Sequence, residues 1–196
     1  MEGLANRIAE KLAAELGFDE EKKEVMAYGL FGILQTALTF LCAGLCGLLL
    51  GAWWQSLLIC LSGGVLRKFS GGVHASTPAL CLFISVVVCA AGGYFSLWLG
   101  AHFDWRIGIP LALCWMAACL IFYKNAPLGH ENKPICGDAK RRRLRRGTFA
   151  VLAVDTILFL AFGLLGGKIP GLYAAALCLW VGVCWQSLTL TRLFRR

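Results

Sequence analysis

Long stretches without a charged side chain alternate with short polar segments along this chain of 196 residues. The first stretch covers residues 25–66 and contains no charge in 42 positions. About 20 apolar residues are enough for a helix to cross a bilayer, so this stretch predicts two helices joined by a tight turn between Gly47 and Trp53. The whole pattern predicts six membrane-spanning helices, at roughly 28–48, 51–66, 79–100, 107–123, 148–166 and 169–190.

Composition supports this interpretation, because hydrophobic residues make up 59% of the chain and the mean hydropathy is +0.71. Both values lie far outside the range of soluble proteins. We therefore predict an all-α, polytopic membrane protein that forms a single membrane-embedded domain over residues 1–196.

Seventeen of the 19 lysines and arginines fall on one side of the six predicted spans, and only Arg106 and Lys168 fall on the other. Short cytoplasmic loops retain positive charge, so we predict that this side, with both termini, is cytoplasmic. The seventeen are Arg7, Lys11, Lys22, Lys23, Arg67, Lys68, Lys124, Lys133, Lys140, Arg141, Arg142, Arg143, Arg145, Arg146, Arg192, Arg195 and Arg196.

The first 24 residues predict an amphipathic helix that ends at Gly17 and is followed by a helix capped by Asp19. Two arrangements of this first helix fit equally well. It could lie at the inner membrane surface, or pack on cytoplasmic loops of the protein itself. Its apolar face consists of Leu4, Ala5, Ile8, Ala9, Leu12, Ala13 and Leu16.

A polar, glycine-rich segment at residues 67–81 separates the second and third predicted spans. Thr77 followed by Pro78 is typical of a helix start, which places Cys81 in the first helical turn. Free backbone N–H groups and the helix dipole favour a thiolate there, whereas desolvation at the membrane boundary opposes it. The sequence leaves the sum of these effects open.

His74 is a potential base for this thiol. In a continuous helix, seven residues would separate the two by about 10 Å along the axis, whereas a base must lie within about 3 Å of its nucleophile. The intervening residues are therefore predicted to form a folded-back loop, which Gly71 and Gly72 permit. We place this predicted catalytic loop over residues 67–78. With ten cysteines in the chain, coincidence also explains such a pair.

The remaining polar features are weaker signals. His130 and Cys136 provide at most two metal ligands, so neither a metal nor another cofactor is predicted. Asp155 lies inside a predicted span, where a charged group normally faces a partner or a cavity. Two roles fit this acid: a structural hydrogen bond or contact with a substrate. Two interpretations fit the basic run at residues 140–146, and they can both hold. It could fix the orientation of the protein in the membrane and bind anionic lipid, or it could bind an acidic peptide. It is too short and too poor in aromatic residues to predict nucleic-acid binding.

The spacing of Arg67, Gly72, His74 and Cys81 resembles the accessory gene regulator B (AgrB) family of membrane cysteine endopeptidases. Residues 123–127, 133–135 and 140–146 are similar to that family's cytoplasmic loop, here 124–147. The resemblance covers nearly the whole chain and implies a location in the bacterial cell membrane. Residues 131–132 are Glu and Asn, whereas some members have lysines there, which affects local substrate contacts more than the chemistry.

The resemblance implies an enzyme that cuts the acidic C-terminal tail from an AgrD-like quorum-sensing precursor. His74 and Cys81 would be catalytic, and the retained peptide would form a thioester before it closes into a thiolactone or lactone. Implied partners are the precursor, membrane lipids and a second copy of the chain. The loop would be supported by Arg67, Gly71 and Gly72, and the tail would be bound by Lys133, Arg141, Arg142, Arg143, Arg145 and Arg146.

Two other functions fit the span pattern. A small six-helix transporter or exporter would use Asp155 as a coupling residue, and a non-catalytic scaffold would use the glycine spacing of Gly47 and Gly51. Neither function needs the polar segment at residues 67–81, which is why the peptidase is the preferred hypothesis.

Overall fold

The computed structural model describes residues 2–73, 75, 77–129 and 137–191. Within these residues the chain forms seven α-helices and no strand, so the predicted all-α fold is confirmed. The helices are α1 (Glu2–Leu16), α2 (Glu20–Leu49), α3 (Trp53–Ser70), α4 (Pro78–Ala101), α5 (Trp105–Asn125), α6 (Asp138–Leu165) and α7 (Leu172–Leu188).

Four helices, α2, α4, α5 and α6, are long and apolar enough to cross a membrane. Helix α7 is apolar but has only 17 residues, and α3 carries two basic residues, Arg67 and Lys68, in its last turn. The turn between α2 and α3 lies at residues 50–52, inside the predicted interval. These helices indicate a multi-pass membrane protein, while its orientation in the membrane stays a prediction.

Helices α3 and α7 occupy the centre of the bundle. Helix α3 packs against α2, α4, α6 and α7, and α7 packs against α3, α4, α5 and α6. A close approach supports this packing at Ser56, which lies between two glycines of neighbouring helices. A Cβ atom on Gly93 would lie 2.9 Å from the Ser56 nitrogen, and one on Gly47 would lie 2.8 Å from the Ser56 Cβ. Gly51 instead adopts a φ of 69° in the turn after α2.

The ends of α3, α5 and α7 and the start of α6 meet at one end of the bundle, which we call the basic end. The Leu128 N–H donates to the Ser70 carbonyl over 2.8 Å, and the Val73 N–H donates to the Thr189 carbonyl over 3.2 Å. At the opposite end, the rings of Phe103 and Tyr173 stack with centroids 4.2 Å apart. The two sequence motifs that resemble the AgrB family therefore lie at the same end.

Two predicted loops are shorter in the structure than the sequence suggested. Helix α6 begins at Asp138, so the basic run is helical rather than part of a loop over 124–147. Its Ala, Lys, Arg and Leu residues are good helix formers, and Asp138 complements the dipole of the first turn. The predicted catalytic loop over 67–78 likewise begins with the last turn of α3, which extends to Ser70.

Helix α1 packs on α2 through its small residues. Ala5, Ala9 and Ala13 are buried in this contact, whereas Leu4, Leu12 and Leu16 remain exposed. The predicted end at Gly17 is confirmed by its φ of 63°, and the predicted Asp19 cap is confirmed by a 2.9 Å hydrogen bond from the Lys22 N–H. The exposed leucines form an apolar edge of the kind that an interfacial helix presents to lipid.

Candidate active site

Cys81 lies in the first turn of α4, as predicted. The backbone of Thr77 is extended, and its Oγ1 accepts a 3.2 Å hydrogen bond from the Leu80 N–H. Pro78 is the first helical residue, where its missing N–H costs nothing. The Cys81 N–H donates to the Thr77 carbonyl over 3.0 Å, and the thiol is half-buried and forms no disulfide. The cap thus fixes where the candidate nucleophile lies on the helix.

The two glycines after α3 have conformations and surroundings that exclude a side chain. Gly71 has a φ of 68° and Gly72 a φ of 140°, values that residues with a Cβ rarely adopt. A Cβ on Gly71 would overlap the Leu128 carbonyl oxygen, and one on Gly72 would lie 2.7 Å from the Thr189 Oγ1. The chain can therefore leave α3 in this direction only with glycine at both positions.

Val73 is hydrogen bonded on both sides of its backbone. Arg67 Nη2 donates to the Val73 carbonyl over 2.7 Å, while the Val73 N–H donates to the Thr189 carbonyl. His74 follows Val73 directly but lies outside the described residues, as does Lys133. The structure therefore fixes the backbone up to the residue that precedes the candidate base.

Arg67 links this loop to the candidate nucleophile. Its guanidinium is bonded to Val73 and is also close enough to Cys81 for an electrostatic interaction between the two side chains. The sequence assigned Arg67 a supporting role in the loop, and the structure places its side chain where it interacts with both Val73 and Cys81.

Two glutamines that the sequence analysis did not consider contact the ends of the same segment. Gln186 Nε2 donates to the Gly71 carbonyl over 2.7 Å and to the Ser70 Oγ over 3.1 Å. Gln35 Nε2 donates to the Pro78 carbonyl over 2.9 Å. Each lies in an otherwise apolar stretch of helix, and a polar residue in a span is the signal that could have identified them.

The segment after α5 completes the surroundings of the loop. Leu128 forms an isolated parallel bridge with Gly71, in addition to its hydrogen bond to Ser70. Ala126 is buried beside it, with 4% of its surface exposed. The segment that directly follows residues 123–127 therefore packs on the first motif, while residues 133–135 of the second motif lie outside the described residues.

The basic run forms the exposed first turns of α6, but its arginines are not equivalent. The Arg145 guanidinium lies 5.6 Å from the ring centroids of both Tyr123 and Phe149, and its Nη2 is 3.4 Å from the Tyr123 carbonyl. These contacts tie α6 to the end of α5. The other exposed arginines, Arg141, Arg142, Arg143 and Arg146, are the better candidates for binding an acidic ligand.

Asp155 is buried within the bundle, with 6% of its surface exposed. The Ser62 hydroxyl donates to its carboxylate over 3.2 Å, so this acid connects α6 to α3. The hydrogen bond agrees with the structural role considered from the sequence. Among the described residues, no group of three or more His, Cys, Asp or Glu side chains is arranged to bind a metal ion.

A family model described as accessory gene regulator B matches residues 5–190. The chain belongs to the AgrB family. It is similar to AgrB-like proteins of Clostridium perfringens, 27% identical over 198 residues in strain SM101 and 27% over 201 residues in strain 13. Both alignments cover 97% of this chain and 91% of the relative.

A protein of Halalkalibacterium halodurans, also described as AgrB-like, is 26% identical over 158 residues, which cover 81% of this chain and 76% of the relative. No solved structure matches the chain. The resemblance drawn from residues 67–81 is thus confirmed at the level of the family. Membership of the AgrB family indicates a membrane protein of the accessory gene regulator system with a role in processing an AgrD-like peptide.

Proposed function

We propose that this chain is a membrane cysteine endopeptidase that removes the C-terminal tail of an AgrD-like precursor and cyclises the retained peptide. The observation that carries the proposal is the position of Cys81 in the first turn of a capped helix, within the electrostatic range of Arg67. The same arginine donates a hydrogen bond to the carbonyl of Val73, the residue that precedes His74. Membership of the AgrB family supports the choice of substrate.

In the first step of the proposed reaction, the Cys81 sulfur attacks the scissile carbonyl carbon. His74 takes the thiol proton and donates it to the departing amine as the carbon–nitrogen bond breaks. The tail leaves with a free amino terminus, and the retained segment stays on Cys81 as a thioester. No oxidant, reductant or metal is needed for this step.

The negative charge on the tetrahedral intermediate needs hydrogen-bond donors, each of which is typically worth about 10²–10³ in rate. The backbone N–H groups at the start of α4 are natural candidates for this role. Two of them, on Leu80 and Cys81, already donate to Thr77, and Pro78 has no N–H. We therefore assign the role to the Ala79 amide and to Arg67.

In the second step, a thiol or hydroxyl within the peptide attacks the thioester, which closes the ring and releases Cys81. Exchange between thioesters is nearly neutral in free energy, whereas hydrolysis is downhill, so the site must exclude water. Gln35, which contacts Pro78, lies eleven residues after Glu24, about 16 Å along α2. The start of α4 is therefore set back from the charged end of α2, among apolar helices.

A precursor whose internal Cys is replaced with Ala should still be cut, because scission needs only the carbonyl and the enzyme's own pair. It cannot close the ring, so its thioester should accumulate on the enzyme and a small added thiol should release it. Mass spectrometry of both peptide products measures this, with the natural precursor as the control. Linear acid that forms as fast as the natural cyclic product would show that the site does not shield its thioester.

The contacts of α6 lead to a test of tail binding. Replacing Arg142, Arg143 and Arg146 together with Gln should weaken precursor binding about tenfold and flatten its salt dependence, because screened charge pairs are lost. Arg145→Gln is the matched control, since that side chain packs on Tyr123 and Phe149. It should change affinity by less than about twofold.

Binding is measured by titrating labelled precursor into protein reconstituted in nanodiscs at two salt concentrations. Unchanged affinity in the triple variant would leave the basic run with only its lipid and topology role. Fourteen of the chain's basic residues would remain on the predicted cytoplasmic side, so the orientation should be preserved.

The transporter that the sequence left as an alternative would use Asp155 as its coupling residue. The hydrogen bond from Ser62 accounts for this buried acid without transport, because a buried carboxylate needs such a partner. The contacts that Arg67, Gln186 and Thr189 make with the loop before His74 have no evident purpose in a transporter. We therefore prefer the peptidase.

A further inference from the structure

Gln186 is a deeply buried polar side chain that contacts the loop from another helix. Only 2% of its surface is exposed. It lies near the end of α7, and most other residues of that helix are apolar. A buried amide is costly unless it is hydrogen bonded. Its Nε2 finds partners on the Gly71 carbonyl and the Ser70 hydroxyl, where α3 ends and the loop begins.

The surrounding packing shows that α7 is the surface on which this loop rests. A Cβ on Gly72 would lie 3.2 Å from the Gln186 Nε2, so the loop backbone runs directly over the amide. One turn further along the chain, the Thr189 carbonyl accepts from the Val73 N–H. The other hydroxyls at the end of α7 bond within their own turn, including Ser187 to the Cys184 carbonyl. Gln186 therefore donates side-chain hydrogen bonds from α7 to the start of the loop.

We propose that Gln186 is a positioning residue: its amide fixes the direction in which the chain leaves α3 and so sets the place of His74 relative to Cys81. The inference rests on the proposed function. Gln186 itself does not contact the substrate; it acts through the backbone of residues 70–73. A misplacement of about 1 Å between reacting groups can cost about 10²-fold in rate, so loss of the amide should be visible in catalysis.

The chain offers a matched control in Gln55. This glutamine is equally buried, with 1% of its surface exposed, but it lies near the start of α3, fifteen residues and about 22 Å of helix before Ser70. Replacing either glutamine with Met keeps an unbranched side chain of similar size and removes the amide. A loss that follows from any missing buried amide should appear in both variants, whereas a loss of positioning should appear only in Gln186→Met.

Two measurements on full-length protein in nanodiscs test the inference. In precursor cleavage, we expect Gln186→Met to lower kcat about 100-fold and to leave KM within about twofold, because the basic face of α6 is untouched. In hydrogen exchange, the peptide covering residues 67–77 should exchange about tenfold faster than in the wild type. Gln55→Met should match the wild type in both measurements.

A folded Gln186→Met variant with kcat within about threefold of the wild type would overturn the inference, as would an equal loss of kcat in Gln55→Met. Unchanged exchange at residues 67–77 would overturn it independently of catalysis. If the wild-type protein cuts no precursor, the proposed function fails instead, and the exchange measurement tells the two failures apart. Where Met prevents folding, Gln186→Asn serves the same test, because it keeps the amide but withdraws it by one methylene.

Discussion

Precursor cleavage falls by about 10⁴-fold or more when Cys81 is replaced with Ala or Ser, or His74 with Ala, if these two residues act as nucleophile and base. The loss should be this large because the thioester cannot form without the sulfur, and the amine is a poor leaving group without a proton. Membrane insertion and abundance should not change. The measurement is release of the labelled tail by purified protein in liposomes.

Cys46→Ala is the control for this experiment. Cys46 is also half-buried and free of disulfides, but it lies near the far end of α2, away from the loop. It should cleave the precursor at the wild-type rate. Undiminished cleavage by Cys81→Ala would end the cysteine-peptidase interpretation, whatever the other cysteines do.

The second large effect is expected from Gly72→Ala, which should lower precursor cleavage by about 100-fold or more. The added Cβ would meet Thr189 Oγ1 at 2.7 Å and Gln186 Nε2 at 3.2 Å, and a φ of 140° is strained for alanine. Both effects shift the backbone that leads to His74. Strain of this kind costs about 1–3 kcal/mol, so the fold should survive while the site geometry does not.

Two further variants show whether this loss comes from the loop. Gly64→Ala should leave cleavage unchanged, because Gly64 lies within α3 and a Cβ there meets nothing within 4 Å. Adding Thr189→Ala to Gly72→Ala should restore activity in part, since the closest contact is removed but the strained φ remains. Wild-type activity in Gly72→Ala alone would show that the contact with α7 has no bearing on catalysis.

Hydrophobic pattern predicted the approximate positions of α2 to α7, because a bilayer demands long apolar segments. Of the six predicted spans, four are helices long and apolar enough to cross a membrane. The cap at Thr77 and the helix start at Pro78 also followed from local chemistry, since each depends on neighbouring residues alone. The end of α3 did not, because the loop was predicted to begin at residue 67 and the helix extends to Ser70. The pattern placed the start of α6 too late, because a run of basic residues has the low hydropathy that is typical of a loop. Helix propensity and the favourable position of Asp138 in the first turn extend the helix to residue 138.

The partners of the loop could not be predicted, because they come from distant parts of the chain. Gln186 is 115 residues from Gly71, and Gln35 is 43 residues from Pro78. Nothing in the local pattern says which loop a buried glutamine faces. The different roles of Arg145 and its neighbours are likewise set by Tyr123 and Phe149, which meet Arg145 only when α5 and α6 pack together.

The thioester on Cys81 is the central claim of this account, and mass spectrometry of the trapped enzyme tests it most directly. Protein incubated with the precursor that lacks its internal Cys is quenched in acid, weighed intact and then mapped by proteolysis. We predict an added mass equal to the retained peptide segment, located on the fragment that contains Cys81 and removed by hydroxylamine. Release of the tail with no such adduct, or an adduct that persists in Cys81→Ala, would contradict the account.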